Sequence, residues 1–597
     1  MDANSLSCEQ ILARALAAAG GPAWARVRGL HLAGRVTAGG LSGPVEQWID
    51  LARARHAMRL ELGPAAMATG FDGTVAWQRS ANGEVVVQDA EAARRAAATD
   101  AWIHARGWWF ADRHPATFEA RGRHEADGRA FDVLACTPAG GQEVALWFDA
   151  ATHRLDRLVQ EQLGRPAMRR FDDWRAVDGL WLPFRVRSGN GDPRFDRVTA
   201  FESARVDAAP PPGIFDVPAQ AFTDVVFAGG ISSASIPVTI ANHHVFVPVT
   251  LDGHRLRFML DTGGVNLVAE ATARRIGLAS MGAMEARGPG EHAAGSGFAR
   301  VERLDIGGAV ALERQLLRVI DMPGFDAVEG LRVDGVLGVE LFKRLVVQID
   351  YAGALLTLVD PAGFTNPPAA QSLPLSFFGH FPGVAASLDG VAGQFWLDTG
   401  NRGGLVLHAP FVEAHGLDRR YRTSAETPIG WGIGGRAQGR LARGGRLALG
   451  TLAVDGPVLR LPLALDGPLA MRHVAGNIGG EVLSRFVVTF DYARRVVHLA
   501  PNADAGRPFA ADRAGLWINA HPRGAVVAGL MAGGPADEAG LRVDDVIEAV
   551  DERPVVDLGL AALRERLAET PAGICLALEV RRGAGVIRAA LRLRDLV

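Results

Sequence analysis

Asp261-Thr262-Gly263 and Asp398-Thr399-Gly400 are the residues of this chain best placed to do chemistry. Two carboxylates about 3 Å apart cannot both ionise, so the pair retains one proton and offers an acid and a base at one point. Such a pair can take a proton from water with one member while the other polarises a carbonyl, without a metal. Each triplet follows an apolar run, Phe258-Met259-Leu260 or Phe395-Trp396-Leu397, and precedes an apolar segment ending at Gly277-Leu278 or Gly416-Leu417. One Asp-Thr-Gly alone reads equally as an Asx-turn, with the Asp side chain bonded to its own backbone. Two copies in matched surroundings point to a duplicated unit that contributes one carboxylate per copy.

The elements that must hold these carboxylates recur with them. Leu251-Asp252-Gly253 returns as Leu388-Asp389-Gly390, at the offset of 137 that separates the two aspartates. Arg303–Gly307 parallels Arg446–Gly450, and Gly335-Val336-Leu337-Gly338-Val339-Glu340 parallels Gly476-Asn477-Ile478-Gly479-Gly480-Glu481. Each copy closes on a strand-like stretch, Val346–Tyr351 or Val487–Tyr492. Short β-rich runs broken by Gly turns predict all-β units, and two in tandem predict a pseudo-dimer with its axis between the motifs.

Over about residues 240–500 these motifs resemble the retropepsin-like aspartic proteases, in the tandem form found in bacteria. The resemblance implies two β-barrel halves, with Asp261 and Asp398 sharing a proton and holding the attacking water. It implies that Thr262 and Thr399 brace the two loops against each other. Gly263 and Gly400 would let backbone N–H groups approach the carboxylates. It further implies that Val336-Leu337-Gly338 and Ile478-Gly479 pack beneath the Asp loops. Gly264 and Asn401 stand where Ala or Ser is usual, and Asn477 takes a usually apolar place. Flaps closing over substrate are expected at Gly288–Gly297 and Gly430–Gly439, with plain hairpins as the alternative. The second, Gly430-Trp431-Gly432-Ile433-Gly434-Gly435, lacks the acidic residue and βαβ frame of a nucleotide-binding loop.

Composition narrows the remaining classes. The chain has 597 residues, enough for several domains, and a net charge of −3 from 63 basic and 66 acidic residues. No strong field draws it to nucleic acid or membrane. Lys343 is the only lysine, which disfavours a phosphate-loop or Schiff-base lysine. Cys8, Cys136 and Cys575 lie far apart and suit neither a zinc site nor a disulfide framework. No His-Glu-x-x-His or Gly-x-Ser-x-Gly pattern occurs, and no metal or other cofactor is expected. The adjacent His243-His244 read as surface or strand histidines. No apolar run of 18 residues is present, so no transmembrane segment is expected. Residues 1–20 show no charged region followed by an apolar core, and Ser7-Cys8 lacks the apolar residue expected before a lipidated cysteine. The chain is thus expected to be cytoplasmic or to begin after a removed signal, and its domain company favours a periplasmic or envelope place.

Residues 1–220 open with an amphipathic helix near Glu9–Ala19 and continue in alternating strands. The pattern resembles the periplasmic lipoprotein-carrier fold, a curved antiparallel sheet around an apolar cavity. That implies a lipid-like ligand, with Trp102, Trp108, Trp109 and Phe110 lining the cavity or packing the core. Pro210-Pro211-Pro212-Gly213 reads as a stiff linker. Residues 504–597 resemble a PDZ domain through Gly534–Leu541 and Val543–Val550. The resemblance implies that Gly515, Leu516, Trp517 and Ile518 form a loop and strand receiving a peptide C-terminus, with Leu560–Ala568 as the other groove wall.

The expected architecture is mainly β and multidomain: a carrier-like antiparallel sheet domain at 1–220, protease halves at 221–362 and 363–503, and a PDZ domain at 504–597. The expected activity is an aspartic endopeptidase acting on polypeptide, without nucleic acid. The competing reading is a non-catalytic periplasmic protein that binds peptide or lipid. Pairing of each copy with its counterpart in another chain is a further alternative, disfavoured by the short Pro367-Pro368 connection.

Overall fold

Strand formation in the N-terminal part follows from alternating apolar residues. In Leu41–Asp50 the buried residues are Gly43, Val45, Gln47, Trp48 and Ile49. The computed structural model describes residues 6–162, 165–286, 294–432, 434–463 and 467–597. They divide into two compact units. One comprises Met1–Phe222 with the short segments Met281–Glu285 and Phe377–Gly379, and the other comprises the remainder to Val597.

The first unit is built on one antiparallel sheet of thirteen described strands. Its first strand, Gly29–Ala38, pairs with both Leu41–Asp50 and the last strand, Arg197–Val206. The sheet's two edges are therefore the sixth and seventh strands, Val85–Gln88 and Ala116–Ala126. The helix Glu91–His104 falls between them in sequence. The opening helix runs Cys8–Ala18, one residue earlier than expected, because Ser7 and Gln10 form a reciprocal capping box. Trp102 and Trp108 pack in one core cluster, Phe110 in another, and Trp109 borders both. The Pro-rich stretch does not run free. Just after it Ile214 and Phe215 are buried against Trp48, Ala57 and Trp77, and the Trp77 indole donates to the Phe215 carbonyl at 2.9 Å.

The second unit contains the duplication. In copy one, Phe258–Leu260 pairs in parallel with Gly335–Leu337, whose other edge pairs antiparallel with Leu267 and Val268. In copy two, Phe395–Leu397 and Gly476–Ile478 pair in the same way, with Leu405–Leu407 alongside. The two copies share a six-stranded sheet in which their closing strands meet antiparallel, Val347 opposite Phe490 and Asp350 opposite Val487. Equivalent strands meeting head to tail are what a two-fold relation produces. A five-strand antiparallel path, from Leu516–His521 to Gly585–Arg592 with Arg553–Pro554 beside it, and the helix Leu560–Glu569 close the chain.

Candidate active site

Each Asp-Thr-Gly loop leaves the end of a buried strand and is pinned from below. The Asp261 N–H donates to the Leu337 carbonyl and the Asp398 N–H to the Ile478 carbonyl, both at 2.9 Å. Gly338 and Gly479 leave no room for a side chain. A Cβ on Gly338 would lie 2.4 Å from the Gly264 carbonyl oxygen, and one on Gly479 2.3 Å from that of Gly403.

The threonines lock the loops together. Thr262 Oγ1 donates to the Leu397 carbonyl at 2.7 Å and accepts from the Thr399 N–H at 3.0 Å. Thr399 Oγ1 donates to the Leu260 carbonyl and accepts from the Thr262 N–H, each at 3.0 Å. Both threonines are fully buried, while both aspartates keep part of their surface open. Removing water from the brace strengthens it, while the carboxyls stay reachable from solvent.

Close approach requires glycine at 400 and leaves little room for a side chain at 263. A Cβ on Gly263 would lie 3.1 Å from Asp398 Oδ1 and 3.2 Å from Asp261 Oδ1, so the two oxygens flank one small space. A Cβ on Gly400 would lie 2.4 Å from the Asp261 carboxyl carbon. The Gly263 N–H donates to Asp261 Oδ1 at 2.7 Å and the Gly400 N–H to Asp398 Oδ1 at 3.1 Å.

The two carboxyls lie close enough to act on each other. Burial, and then the charge of Asp398, push Asp261 up to about 7. Burial also raises Asp398, opposed first by a bond from Asn477 and then by the N–H groups of Gly400 and Asn401. The Asn477 amide nitrogen donates to Asp398 Oδ2 at 3.0 Å, and its oxygen faces His408 Nε2 at 3.0 Å. The equivalent residue of copy one is Val336, so the copies differ at the point that touches a carboxylate.

Two histidines also belong to the site, and the expectation of surface or strand roles for His243-His244 missed this. His244 Nε2 donates to the Gly400 carbonyl at 3.0 Å, and His380 Nε2 meets the Gly263 carbonyl at 2.8 Å. Each copy thus reaches across to the other copy's loop. A signal was present: His244 stands 17 residues before Asp261 and His380 18 before Asp398. Burial lowers His380, keeping it neutral.

Of the expected flaps, residues 288–293 of the first lie outside the described residues. The second is a hairpin, Thr427–Gly432 with Gly435–Arg443, in which Trp431 opposes Arg436. Among the described residues no cluster of metal-binding side chains occurs.

The PDZ residues are placed differently from a free groove. The N–H groups of Gly515 and Leu516, expected to meet a peptide carboxylate, donate instead to Asp512 Oδ2 at 2.8 and 3.2 Å. Burial lifts Asp512 to about 6 against these bonds. Ile518, Leu560 and Leu563 are buried in the domain's own core, with Leu516 packed against it. Trp517 faces the Arg402 guanidinium, 4.5 Å from its ring centre. The short helix Phe325–Glu329 of the first protease copy packs on the strand Leu516–His521, and a Cβ on Gly330 would lie 2.8 Å from Leu560 Cβ. Both walls of the expected groove therefore meet the chain's own Phe325–Gly330 segment.

Two family models match the chain. A family model described as aspartyl protease matches residues 247–341, and one described as PDZ domain matches 526–582. A search of curated proteins finds no match. Solved structures similar to the chain include a LolA superfamily protein from Nitrosomonas europaea, at 15% identity and a TM-score of 0.26, covering 35% of this chain and 98% of that one. Others are an outer membrane lipoprotein-sorting protein domain from Vibrio parahaemolyticus (12%, 0.23; 35% and 97%) and a DUF1329 family protein from Desulfovibrio piger (14%, 0.25; 35% and 97%). From residue 247 onward, the chain carries an aspartyl protease domain and, behind it, a PDZ domain.

Proposed function

We propose that the chain is an aspartic endopeptidase whose two copies form one active site, with Asp261 and Asp398 activating water on a peptide bond. The observation that carries this reading is the reciprocal Thr262–Thr399 brace, which holds the two Asp loops against each other with an oxygen of each carboxyl flanking Gly263. A binding protein has no need of two opposed acids. Asp398 accepts from Asn477 as well as from backbone, so it is the ionised member that takes the proton from water. Asp261 holds the proton that polarises the scissile carbonyl. No covalent intermediate forms. Cleavage of an unfolded protein at mildly acidic pH by the wild type, absent in Asp261→Ala, is the test; equal cleavage by both would refute the assignment.

Asn477→Val, which installs the copy-one residue, removes a donor from the ionised carboxylate. The dyad then holds its second proton more tightly, so the acid limb of the kcat/KM profile is expected to move to higher pH. An unmoved acid limb in an active variant would place the charge elsewhere.

The same proposal places the protein in the cell envelope, because the domain company read from the sequence fits that compartment. No described helix is long and apolar enough to cross a membrane. A lipid-like ligand in the N-terminal sheet requires an opened form. The cavity bordered by Trp24, Trp108, Trp109, Trp174 and Trp181 is about 20 Å³, room for about one water. The PDZ domain, with Asp512 on its loop, is expected to bind peptides ending in Val or Leu no better than their C-terminal amides. Calorimetric titration of both forms of each peptide checks this.

A further inference from the structure

His244 is seated by a two-residue turn. Asn242 and His243 both adopt left-handed backbone (φ 50° and 63°), the geometry that joins two strands tightly. The following strand begins at His244, which is 3% exposed. Its two ring nitrogens face two acceptors. Nε2 meets the Gly400 carbonyl and Nδ1 meets Glu329 Oε2 at 2.9 Å. A carbonyl only accepts, so Nε2 carries a proton. Glu329 is equally buried and receives the Asn242 amide at 3.2 Å, with an Arg402 nitrogen 3.6 Å from its other oxygen. Against its burial, His244 and then Arg402 and Arg564 bring Glu329 down to about 2. Both ring nitrogens are thus engaged, and the ring is fixed beside the second catalytic loop.

The carboxylate partner is in turn held by the PDZ domain. Arg564 of the helix Leu560–Glu569 donates to the Val328 carbonyl at 2.7 Å, to Asn242 Oδ1 at 3.0 Å and to the Ile518 carbonyl at 2.7 Å. One guanidinium thus joins the groove helix, the groove strand, the segment carrying Glu329 and the turn carrying His244. Trp517 covers Arg402, which lies in the second catalytic loop and pairs with Glu329. The Ile518 carbonyl, which an added peptide strand would need, is already occupied.

We propose that His244 is a positioning residue for the dyad, and that the PDZ domain keeps it in place by clasping the Phe325–Gly330 segment that bears Glu329. This rests on the proposed protease reading. The PDZ domain acts in cis as part of the catalytic unit: its groove takes a piece of the protease, and the clasp sets both the Gly400 carbonyl and the His244 ring next to the carboxyl pair. The charged and titratable groups facing His244 are Glu329, His243, Arg402, Arg564, Asp261 and Asp398. His243 is held down to about 4, chiefly by burial, and stays neutral. His244 favours the ionised form of both aspartates.

The experiment is carboxyl-carbon NMR titration of Asp261 and Asp398 in the substrate-free full chain, with the pH profile of peptide cleavage beside it. His244→Gln keeps an N–H donor for the Gly400 carbonyl and removes the ring. It is expected to move the carboxyl midpoints and the acid limb up by about one pH unit. Arg564→Ala, distant from the chemistry, is expected to shift both in the same direction, and Arg564→Lys to recover only part. Unmoved carboxyl midpoints in His244→Gln would overturn the positioning role. Wild-type midpoints in Arg564→Ala would overturn the role of the PDZ domain, and this variant remains informative if His244→Gln fails to fold. Shifted midpoints without any cleavage would refute the protease reading while leaving the link between clasp and dyad standing.

Discussion

Asp261→Asn and Asp398→Asn are each expected to reduce peptide cleavage by about 10²–10⁴-fold, because each carboxyl does a job the other cannot. An amide in place of Asp398 accepts no proton from water. An amide in place of Asp261 cannot give one up and take it back. Steady-state assays on a fluorogenic peptide measure the loss, and near-normal rates in either variant would refute a shared dyad. The same change alters stability in the opposite sense. Asp261 binds its proton more tightly folded, up to about 7, than at the ordinary value of 3.8. Its stabilising contribution is complete below that ordinary value and is lost as pH rises through about 7, since the unfolded chain then binds fewer protons. Wild-type Tm is therefore expected to fall between pH 4 and pH 7 more steeply than that of Asp261→Asn. Thermal melts across this range check it.

Thr262→Val is expected to be the most damaging change that leaves both carboxyls intact. The methyl replaces the hydroxyl at equal volume, so packing survives. The Leu397 carbonyl and the Thr399 N–H lose their partner in a place water does not reach. Two buried polar groups left unpaired cost about 2–6 kcal/mol together, at about 1–3 kcal/mol each. Denaturant unfolding reads this directly. Thr262→Ser keeps the hydroxyl and is expected to recover most of the stability and the activity. A Val variant as stable as the wild type would mean that the brace contributes nothing.

The duplication was legible because both copies conserve the same local chemistry within one chain. Strand, Asp-Thr-Gly, and a glycine that must pass under the loop recur at nearly fixed spacing. Local rules of this kind survive translation into sequence: apolar runs make buried strands, and glycine marks close approach. The opening helix and its Ser7–Gln10 cap follow from the same rules. The stretch Pro210–Gly213 was legible only in part. Proline fixes the chain's stiffness, but whether the next residues find a hydrophobic surface depends on Trp48 and Trp77, far away in sequence.

By itself, then, the sequence determined a mainly β chain with two matched carboxylates, the threonines and glycines that frame them, and a C-terminal PDZ domain. Tertiary structure alone decided which groups surround those carboxylates. Asn477 reads in sequence as an odd residue in an apolar turn; only the fold aims its amide at Asp398. His244 reads as half of a commonplace pair until a left-handed turn and a distant glutamate fix it beside Gly400. The PDZ loop looked free to take a carboxylate, yet Asp512 supplies one from within the chain. The physical reason is common to all three. Hydrogen bonds and charges act over a few ångströms in space, and sequence spacing carries that information only where the partners lie in one element or in two copies of the same element.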